Sequence, residues 1–457
     1  MPAIPASPGL TYFPFQLEGI HFALEHPGTL LADEQGIGKT IQAIGVINTL
    51  PKLERVLIVC PATMRGVWKR ELEKWLVRPA RIAVVGVDMG VPTQVFRCHI
   101  LICNYDRLSQ VLPTLRSTKW DLAIYDESHY LKNRETKRSR IALSIRAERR
   151  MGLSGTPLQN RPIELFGVLS WLDPVNWPAG SYFEFGQRYC GARYNGFGWD
   201  FSGASNLSEL NERLRASVML RRTKSQVLPE LPPKFRSVVE LEPSTNIRQT
   251  VETELWAFER WLEERSKNEC NDVHDGGGQY VSAVKGLRRF QGTEHETLAE
   301  ARHATALAKV PLVAGFVREM LQGDAKVVLF CHHRDVVSGY LEALAEFHPV
   351  SITGATGASD RQLAVDRFQT DPSCRVFVGN IQAAGTGITL APASSRCIFA
   401  ELSWVPAEMT QAEDRLHRIG TTSNVLVQHL VLEGSLDAIM IRRLIAKQEI
   451  LSKVLET

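Results

Sequence analysis

Gly36, Gly38, Lys39 and Thr40 stand together in Leu31-Ala-Asp-Glu-Gln-Gly-Ile-Gly-Lys-Thr40, after a short apolar run and ahead of a helical pattern. Glycines without Cβ let backbone N–H groups approach phosphate oxygens, and a following helix adds the positive end of its dipole. In that setting Lys39 would sit on the β- and γ-phosphates of ATP, and the Thr40 hydroxyl would hold Mg2+. The strict pattern has Gly at position 33, where this chain has Asp33. Taken alone, the string also fits a glycine-containing turn before a helix.

Leu122-Ala-Ile-Tyr-Asp-Glu-Ser-His129 reads as a buried strand ending in two carboxylates. In a parallel sheet the C-terminal ends of strands line the ligand crevice. Asp126 is then placed to hold the Mg2+ water shell, and Glu127 to polarise the attacking water. A solvated turn explains an isolated Asp-Glu pair, but poorly explains one in the same sheet as GxGKT. Leu153-Ser-Gly-Thr-Pro157 is another strand end. Its hydroxyls would couple nucleotide to an interface between lobes, or it is an ordinary tight turn.

Further along, Gln411-Ala-Glu-Asp-Arg-Leu-His-Arg-Ile-Gly420 spaces Arg415 and Arg418 so that a helix presents both on one face. Guanidinium groups reaching a γ-phosphate from another lobe stabilise charge in the transition state. Alone, the string reads as a surface helix with solvated arginines. Gly385-Thr386-Gly387 makes a second small-residue loop, suited to an interlobe surface or to DNA phosphate.

Parallel strands with crossover helices are needed to bring these groups together. Apolar runs at Thr29–Ala32, Val56–Cys60, Ile100–Cys103, Leu122–Tyr125 and Met151–Leu153 alternate with helical patterns such as Thr40–Leu50 and Arg65–Trp75. The pattern restarts at Lys326, with strands expected at Val327–Cys331, Val350–Thr353, Val376–Val378, Cys397–Ala400 and Val425–Leu432. Helices are expected there at Asp335–Phe347, Asp360–Gln369, Glu408–Ile419 and Leu436–Val454. The fold class is therefore α/β, with two parallel-sheet lobes and helical insertions. The expected domains are an N-terminal lobe at 1–225, a helical insertion and linker at 226–322 with a loop at Asp275–Gly278, and a C-terminal lobe at 323–457.

The 457 residues suffice for about two to four domains, each burying its own core. The net charge of +3 is too small to indicate nucleic acid by itself, so any such surface must come from local clusters. One candidate is the run Lys132, Arg134, Lys137, Arg138, Arg140, Arg146, Arg149 and Arg150, which also fits a solvated face. Arg221, Arg222 and Lys224 form another. No stretch approaches about 18 consecutive apolar residues, so no membrane partner is expected. Met1–Leu10 lacks the pattern of a secretory signal. The eight cysteines include no CxxC and mostly fall in apolar runs, which suggests a reducing compartment without disulfides. Cys98, His99 and Cys103 fit core packing better than zinc, because no second ligand pair follows.

The ordered set GxGKT, DESH, LSGTPLQN, a long insert, GNIQAAGTGITL and QAEDRLHRIG resembles helicase superfamily two, and more narrowly the SWI/SNF-type DNA translocases. Arg188-Tyr-Cys190, Phe197-Gly-Trp-Asp200, Ser202–Leu207, Met219–Lys224, Leu231-Pro-Pro-Lys234 and Glu401-Leu-Ser-Trp404 make it similar to the annealing-helicase, fork-remodelling branch. The resemblance covers about Pro14 to Leu444. It implies two RecA-like lobes, a DNA-dependent ATPase using ATP and Mg2+, and translocation on duplex or branched DNA without sequence preference. It also implies a monomer, possible targeting partners, and a nuclear, cytoplasmic or nucleoid location according to the host.

Matched to the family motifs, Phe15 and Gln16 would read adenine, with Gln16 bonding its edge, and Gly387 would also fall to the nucleotide. Pro61, Ala62, Thr63, Asn104, Tyr105, His332, Thr386 and Trp404 would fall at the DNA. Arg221, Arg222 and Lys224 would anchor one lobe to the other or contact DNA. The chain departs from the pattern at Thr421, where the family usually has Gln, and no accessory module is expected beside the motor. An RNA helicase and a nucleotide-clamped structural subunit are the alternative functions. Inserts at Trp177–Gly203 and Met219–Lys234 argue against the first, and the water-activating Glu127 against the second.

Overall fold

The computed structural model describes residues 3–50, 53–86, 98–157, 161–194, 196, 198–268, 293–322, 325–385, 387–391, 393–403 and 405–441. The chain divides into two compact units, one through Leu231 and one from Pro232.

The first unit is built on strands β1 (Gly28–Leu31), β2 (Val56–Cys60), β3 (Ile82–Val84), β4 (Ile100–Asn104), β5 (Trp120–Asp126) and β6 (Ala147–Leu153), with a short hairpin of β7 (Arg193–Tyr194) and β8 (Trp199–Asp200), then β9 (Met219–Leu220). The seven-stranded sheet runs β3-β4-β2-β5-β6-β1-β9, and its pairings are parallel. Alternation along β2 explains its unbroken Val/Ile/Leu composition. Leu57 and Val59 enter one apolar cluster, while Val56, Ile58 and Cys60 enter the other on the opposite face. Cys98 and Cys103 lie in the first of these clusters, and burial pushes the Cys103 thiol up to about 12.

The second unit adds β10 (Lys234–Leu241), β11 (Val327–Cys331), β12 (Val350–Ile352), β13 (Val376–Asn380), β14 (Arg396–Phe399) and β15 (Val425–Leu432). They form a six-stranded sheet, β10-β15-β14-β11-β13-β12, again with parallel pairings. Long helices at Thr245–Asn268 and Thr293–Met320 belong to this unit.

Several expectations change. Strand β6 starts at Ala147, four residues before the apolar run, because Arg149 and Arg150 do not need solvent there. Arg149 Nη2 donates to the carbonyls of Ala23 and Leu24, and Arg150 Nη1 to that of Trp171. These two arginines therefore leave the candidate DNA-binding cluster, whereas Arg134, Lys137, Arg140 and Arg146 remain exposed. The segment 226–322 is not purely helical: Lys234–Leu241 pairs residue by residue with β15.

The helix expected over Glu408–Ile419 is Pro406–Glu413, followed by turns. Arg415 and Arg418 are thus not on one helix face. The arginine stretch leaves the helix because its groups bond elsewhere: Leu390 N donates to Arg415 O, and Glu413 and Asp414 turn to Lys234. The expected helix from Leu436 is described only to Ile441, where it is helical. Thr386, Trp404, Phe197 and the loop at Asp275–Gly278 lie outside the described residues.

Candidate functional site

Register sets the first half of the site. Leu31 pairs with Leu153, Leu153 with Asp126, and Leu31 with Leu220. The phosphate-type loop, the Ser-Gly-Thr turn, the acidic pair and the Arg221–Arg222 segment therefore all leave the sheet at one level, on the C-terminal edge where ligand crevices form.

Gly36 and Gly38 take φ values of 83° and 89°, the left-handed region open to glycine, and Lys39 opens the helix Lys39–Thr49. A Cβ on Gly38 would lie 2.5 Å from Gln16 Nε2. Lys39 Nζ donates to the carbonyls of Asp33 at 2.7 Å and Glu34 at 3.1 Å, which holds the ammonium over its own loop. Burial lowers its pKa, and the charges of Glu127, Asp33 and Asp126 oppose that. Thr40 follows, half-buried.

Asp33 is explained by what it binds. Fully buried, it accepts from Arg222 Nη2 at 2.6 Å, Arg222 Nε at 3.1 Å, Arg222 N at 3.0 Å and Gln42 Nε2 at 3.2 Å. Arg222 Nη1 also donates to Phe15 O at 2.6 Å. Arg221 Nη1 donates to Ala32 O, and Lys224 N to Glu34 Oε2. The basic cluster, expected between lobes or on DNA, thus clamps the phosphate-type loop of its own unit. A glycine at position 33 would leave this guanidinium buried without its carboxylate. Arg222→Ala is expected to cost about 3–5 kcal/mol, the penalty of breaking a buried pair. Chemical denaturation measures it, and a loss below about 1 kcal/mol, as for a surface pair, contradicts the anchoring role.

Gln16, expected on an adenine edge, uses both ends of its amide within the protein. Its Oε1 accepts from Phe13 N at 3.0 Å, and its Nε2 donates to Ile37 O at 3.3 Å. Phe15 is buried, and the exposed ring beside it is Phe13, stacked on it at 5.5 Å.

At the end of β5 the Asp126 carboxylate accepts from Trp68 Nε1 at 2.8 Å and from Glu127 N at 3.0 Å. Burial and the neighbouring Glu127 charge raise it to about 6, against the Trp68 hydrogen bond and Lys39. Glu127 itself takes φ 49°, an uncommon left-handed conformation for a side-chain-bearing residue. Its carboxylate meets His129 Nδ1 at 3.2 Å, and that nitrogen lies 3.2 Å from Ser154 Oγ. A Cβ on Gly155 would lie 2.2 Å from Gln35 Cγ. Only glycine lets the Ser-Gly-Thr turn approach the phosphate-type loop so closely.

Tyr105, expected at DNA, is buried instead, stacked on Tyr130 at 5.4 Å, with its hydroxyl donating to Asp126 O at 2.7 Å. Its contact supports the acidic pair. Pro61 and Asn104 are also buried, and Thr63 is half-buried. Trp68 carries no motif signal, and Arg222, legible as part of a basic cluster, has a partner that its motif does not show. Their types signal only core and surface, because their partners lie far off in sequence.

In the second unit Cys331 pairs with Asn380, and Phe330 with Phe399. This brings together His332, His333, Asn380 and Glu401. Glu401 accepts from His332 N at 2.7 Å and His333 N at 3.0 Å, and meets His333 Nδ1 at 2.6 Å. Despite burial, these contacts hold its carboxyl at about 2. Gly387, at φ 77°, precedes the stretch that holds the arginines. Arg415 Nη1 donates to Ile388 O at 3.3 Å, and Arg418 Nη1 to Thr389 Oγ1 at 2.7 Å. Thr421 closes the turn: its Oγ1 accepts from Arg418 N and donates to Leu416 O. Lys234 and Arg236 grip the buried Glu413 from β10, at 2.8 Å and 2.6 Å.

A parallel sheet, a glycine-flanked lysine and a strand-end carboxylate pair define a phosphate-loop type of nucleotide-binding protein. Residues 15–284 match the SNF2-related domain and residues 310–420 the Helicase conserved C-terminal domain. The chain belongs to the SNF2-related family, and that membership implies nucleotide binding. DNA annealing helicase and endonuclease ZRANB3 of Bos taurus is 36% identical over 93% of this chain and 39% of its own length. The SWI/SNF-related matrix-associated actin-dependent regulator of chromatin subfamily A-like protein 1 is 35% identical in Xenopus tropicalis, over 94% of this chain and 43% of that protein. Its Drosophila melanogaster counterpart is 34% identical, over 96% and 55%. The chain therefore spans about two fifths to just over half of these relatives' length. The Sulfolobus solfataricus SWI2/SNF2 ATPase core, solved in complex with dsDNA, aligns over 98% of this chain and 93% of that one, at 23% identity and TM-score 0.45. Among the described residues no helix is long and apolar enough to cross a membrane.

Proposed function

We propose that the chain is a DNA-dependent ATPase that translocates on duplex DNA and remodels or anneals branched DNA. The observation that carries this is the acidic pair: Asp126 and Glu127 leave the sheet at the level of the Lys39 loop, and Glu127 is oriented by His129. The donors present suit ATP with Mg2+. Lys39 supplies a cation for phosphate, the loop glycines and the helix start supply amides, and Thr40 and Asp126 supply hard oxygens for the metal. Bound Mg2+ would neutralise charge developing on the phosphates. Asp126 would hold the metal with Thr40, and Glu127 takes the proton of the attacking water. Arg415 and Arg418 supply the guanidinium charge that stabilises the transferring phosphoryl group.

His332 and Thr63 mark the DNA track, together with Thr386 and Trp404 from the family pattern. Contacts there are to the backbone and sequence-independent. The Bos taurus, Xenopus tropicalis and Drosophila melanogaster relatives are eukaryotic, which favours a nuclear setting.

ATP turnover by the purified chain in the presence of duplex DNA, single-stranded DNA and RNA tests the reading. Duplex DNA is expected to stimulate most. Stronger stimulation by RNA overturns it in favour of an RNA helicase, and absence of turnover overturns it in favour of a structural clamp.

A further inference from the structure

The aromatic insert between the Ser-Gly-Thr turn and β9 has no part in ATP hydrolysis as described. Its hairpin pairs Arg193 with Asp200 and Tyr194 with Trp199. Tyr194 is 62% exposed and Trp199 46%, and Phe183, on the helix Tyr182–Tyr189, is 41% exposed. The rings meet edge-on: Tyr194 with Trp199 at 5.8 Å, Trp199 with Phe183 at 5.3 Å, and Phe183 with Phe201 at 5.7 Å. Large rings gathered on a surface mark a binding site more often than they mark packing.

The base under these rings is tight. Phe201 lies over Gly186, where a Cβ would come within 2.5 Å of its ring, and meets Tyr182 edge-on at 5.9 Å. Arg134 caps Tyr182, its guanidinium 4.2 Å from the ring centre. Arg134 belongs to the exposed basic run with Lys137 and Arg140. The ring cluster is thus continuous, through Tyr182, with a positively charged strip. Glu135 lies beside Arg134 in that run and Arg193 faces Asp200 across the hairpin, so the net positive charge comes from Arg134, Lys137 and Arg140 together.

We infer that Tyr194, Trp199 and Phe183 form a stacking platform for unpaired nucleobases, with the Arg134 strip taking the adjoining phosphates. Rings stack on any base, because every base has a π face, and neighbouring cations track the backbone. A base inside a duplex has both faces covered by its neighbours. The platform therefore selects sites where paired DNA gives way to single strands. The inference rests on the DNA reading above and names the structural feature of the DNA that this surface takes.

The test uses the full chain with Tyr194→Ala/Trp199→Ala and, as a control, Val175→Ala, an exposed apolar residue of the same insert. Binding of a fluorescein-labelled fork with unpaired arms is compared with that of a blunt duplex of equal length. The double variant is expected to lose about tenfold or more on the fork, in line with base–aromatic stacking. Its affinity for blunt duplex and its duplex-stimulated ATP turnover stay unchanged, as do all readouts of the control. Tyr194→Phe/Trp199→Phe, which keeps the rings, restores fork binding. Equal loss on both DNAs, or no loss on the fork, overturns the inference, the latter leaving the surface to a protein partner. If no DNA stimulates or binds the wild-type chain, the DNA reading itself fails, and this inference with it.

Discussion

Glu127→Gln is expected to lower DNA-stimulated ATP turnover by about 10²–10⁴-fold while nucleotide binding persists. The amide matches the carboxylate in shape, so the left-handed backbone at Glu127 and the DNA-binding surfaces are undisturbed. It can still reach His129, which also contacts Ser154. What it cannot do is accept a proton. Asp126 is the weaker candidate for that task, because its carboxylate already accepts from the Trp68 indole and the Glu127 amide. It is better suited to hold a metal's water shell. Single-turnover hydrolysis, with binding of a fluorescent ATP analogue measured in parallel, separates the steps. Lys39→Ala provides the contrast, since it removes the phosphate cation and should weaken binding as well as turnover. Near-wild-type hydrolysis by Glu127→Gln would remove Glu127 from the mechanism.

Arg418→Ala is expected to reduce kcat by about 10³-fold or more, the range of an arginine that stabilises transferring phosphoryl charge. Folding, the melting midpoint and DNA affinity should hold. The local geometry supports such a role. Arg418 lies past the helix end, in a turn closed by Thr421, with one guanidinium nitrogen on Thr389. The backbone turn and the Thr389 hydroxyl fix the position of the arm. Arg418→Lys keeps the charge but not the planar fork, so it should recover only part of the rate. A purely structural arginine would instead lower the melting midpoint and leave kcat of the folded fraction unchanged. That outcome would remove Arg418 from the mechanism.

Much of the frame was legible in the chain. Val56–Cys60, Arg65–Trp75, Val327–Cys331 and Val425–Leu432 have the expected bounds. Parallel strands covered on both faces must be unbroken apolar runs, and such runs are visible one residue at a time. The failures share a cause. Strand β6 was cut short because Arg149 and Arg150 look solvated until Ala23, Leu24 and Trp171 offer carbonyls. Strand β10 looks like linker because it is half-exposed to exposed throughout and carries no long apolar run. The helix through Arg418 looked continuous because periodicity does not record that Leu390, over twenty residues earlier, claims the Arg415 carbonyl.

The sequence by itself determined the phosphate-type loop, the acidic pair and the alternation that makes two parallel sheets, because these depend on residue types at short spacing. It could not say why Asp33 replaces a glycine, why Tyr105 is withheld from any ligand, or what aims Glu127. Those answers came from Arg222 on Asp33, from Tyr130 and the Asp126 carbonyl on Tyr105, and from His129 with Ser154 beside Glu127, brought alongside by the folded unit. A buried charge or N–H is stable only with its partner in place, and the partner's position exists only once the sheet has formed.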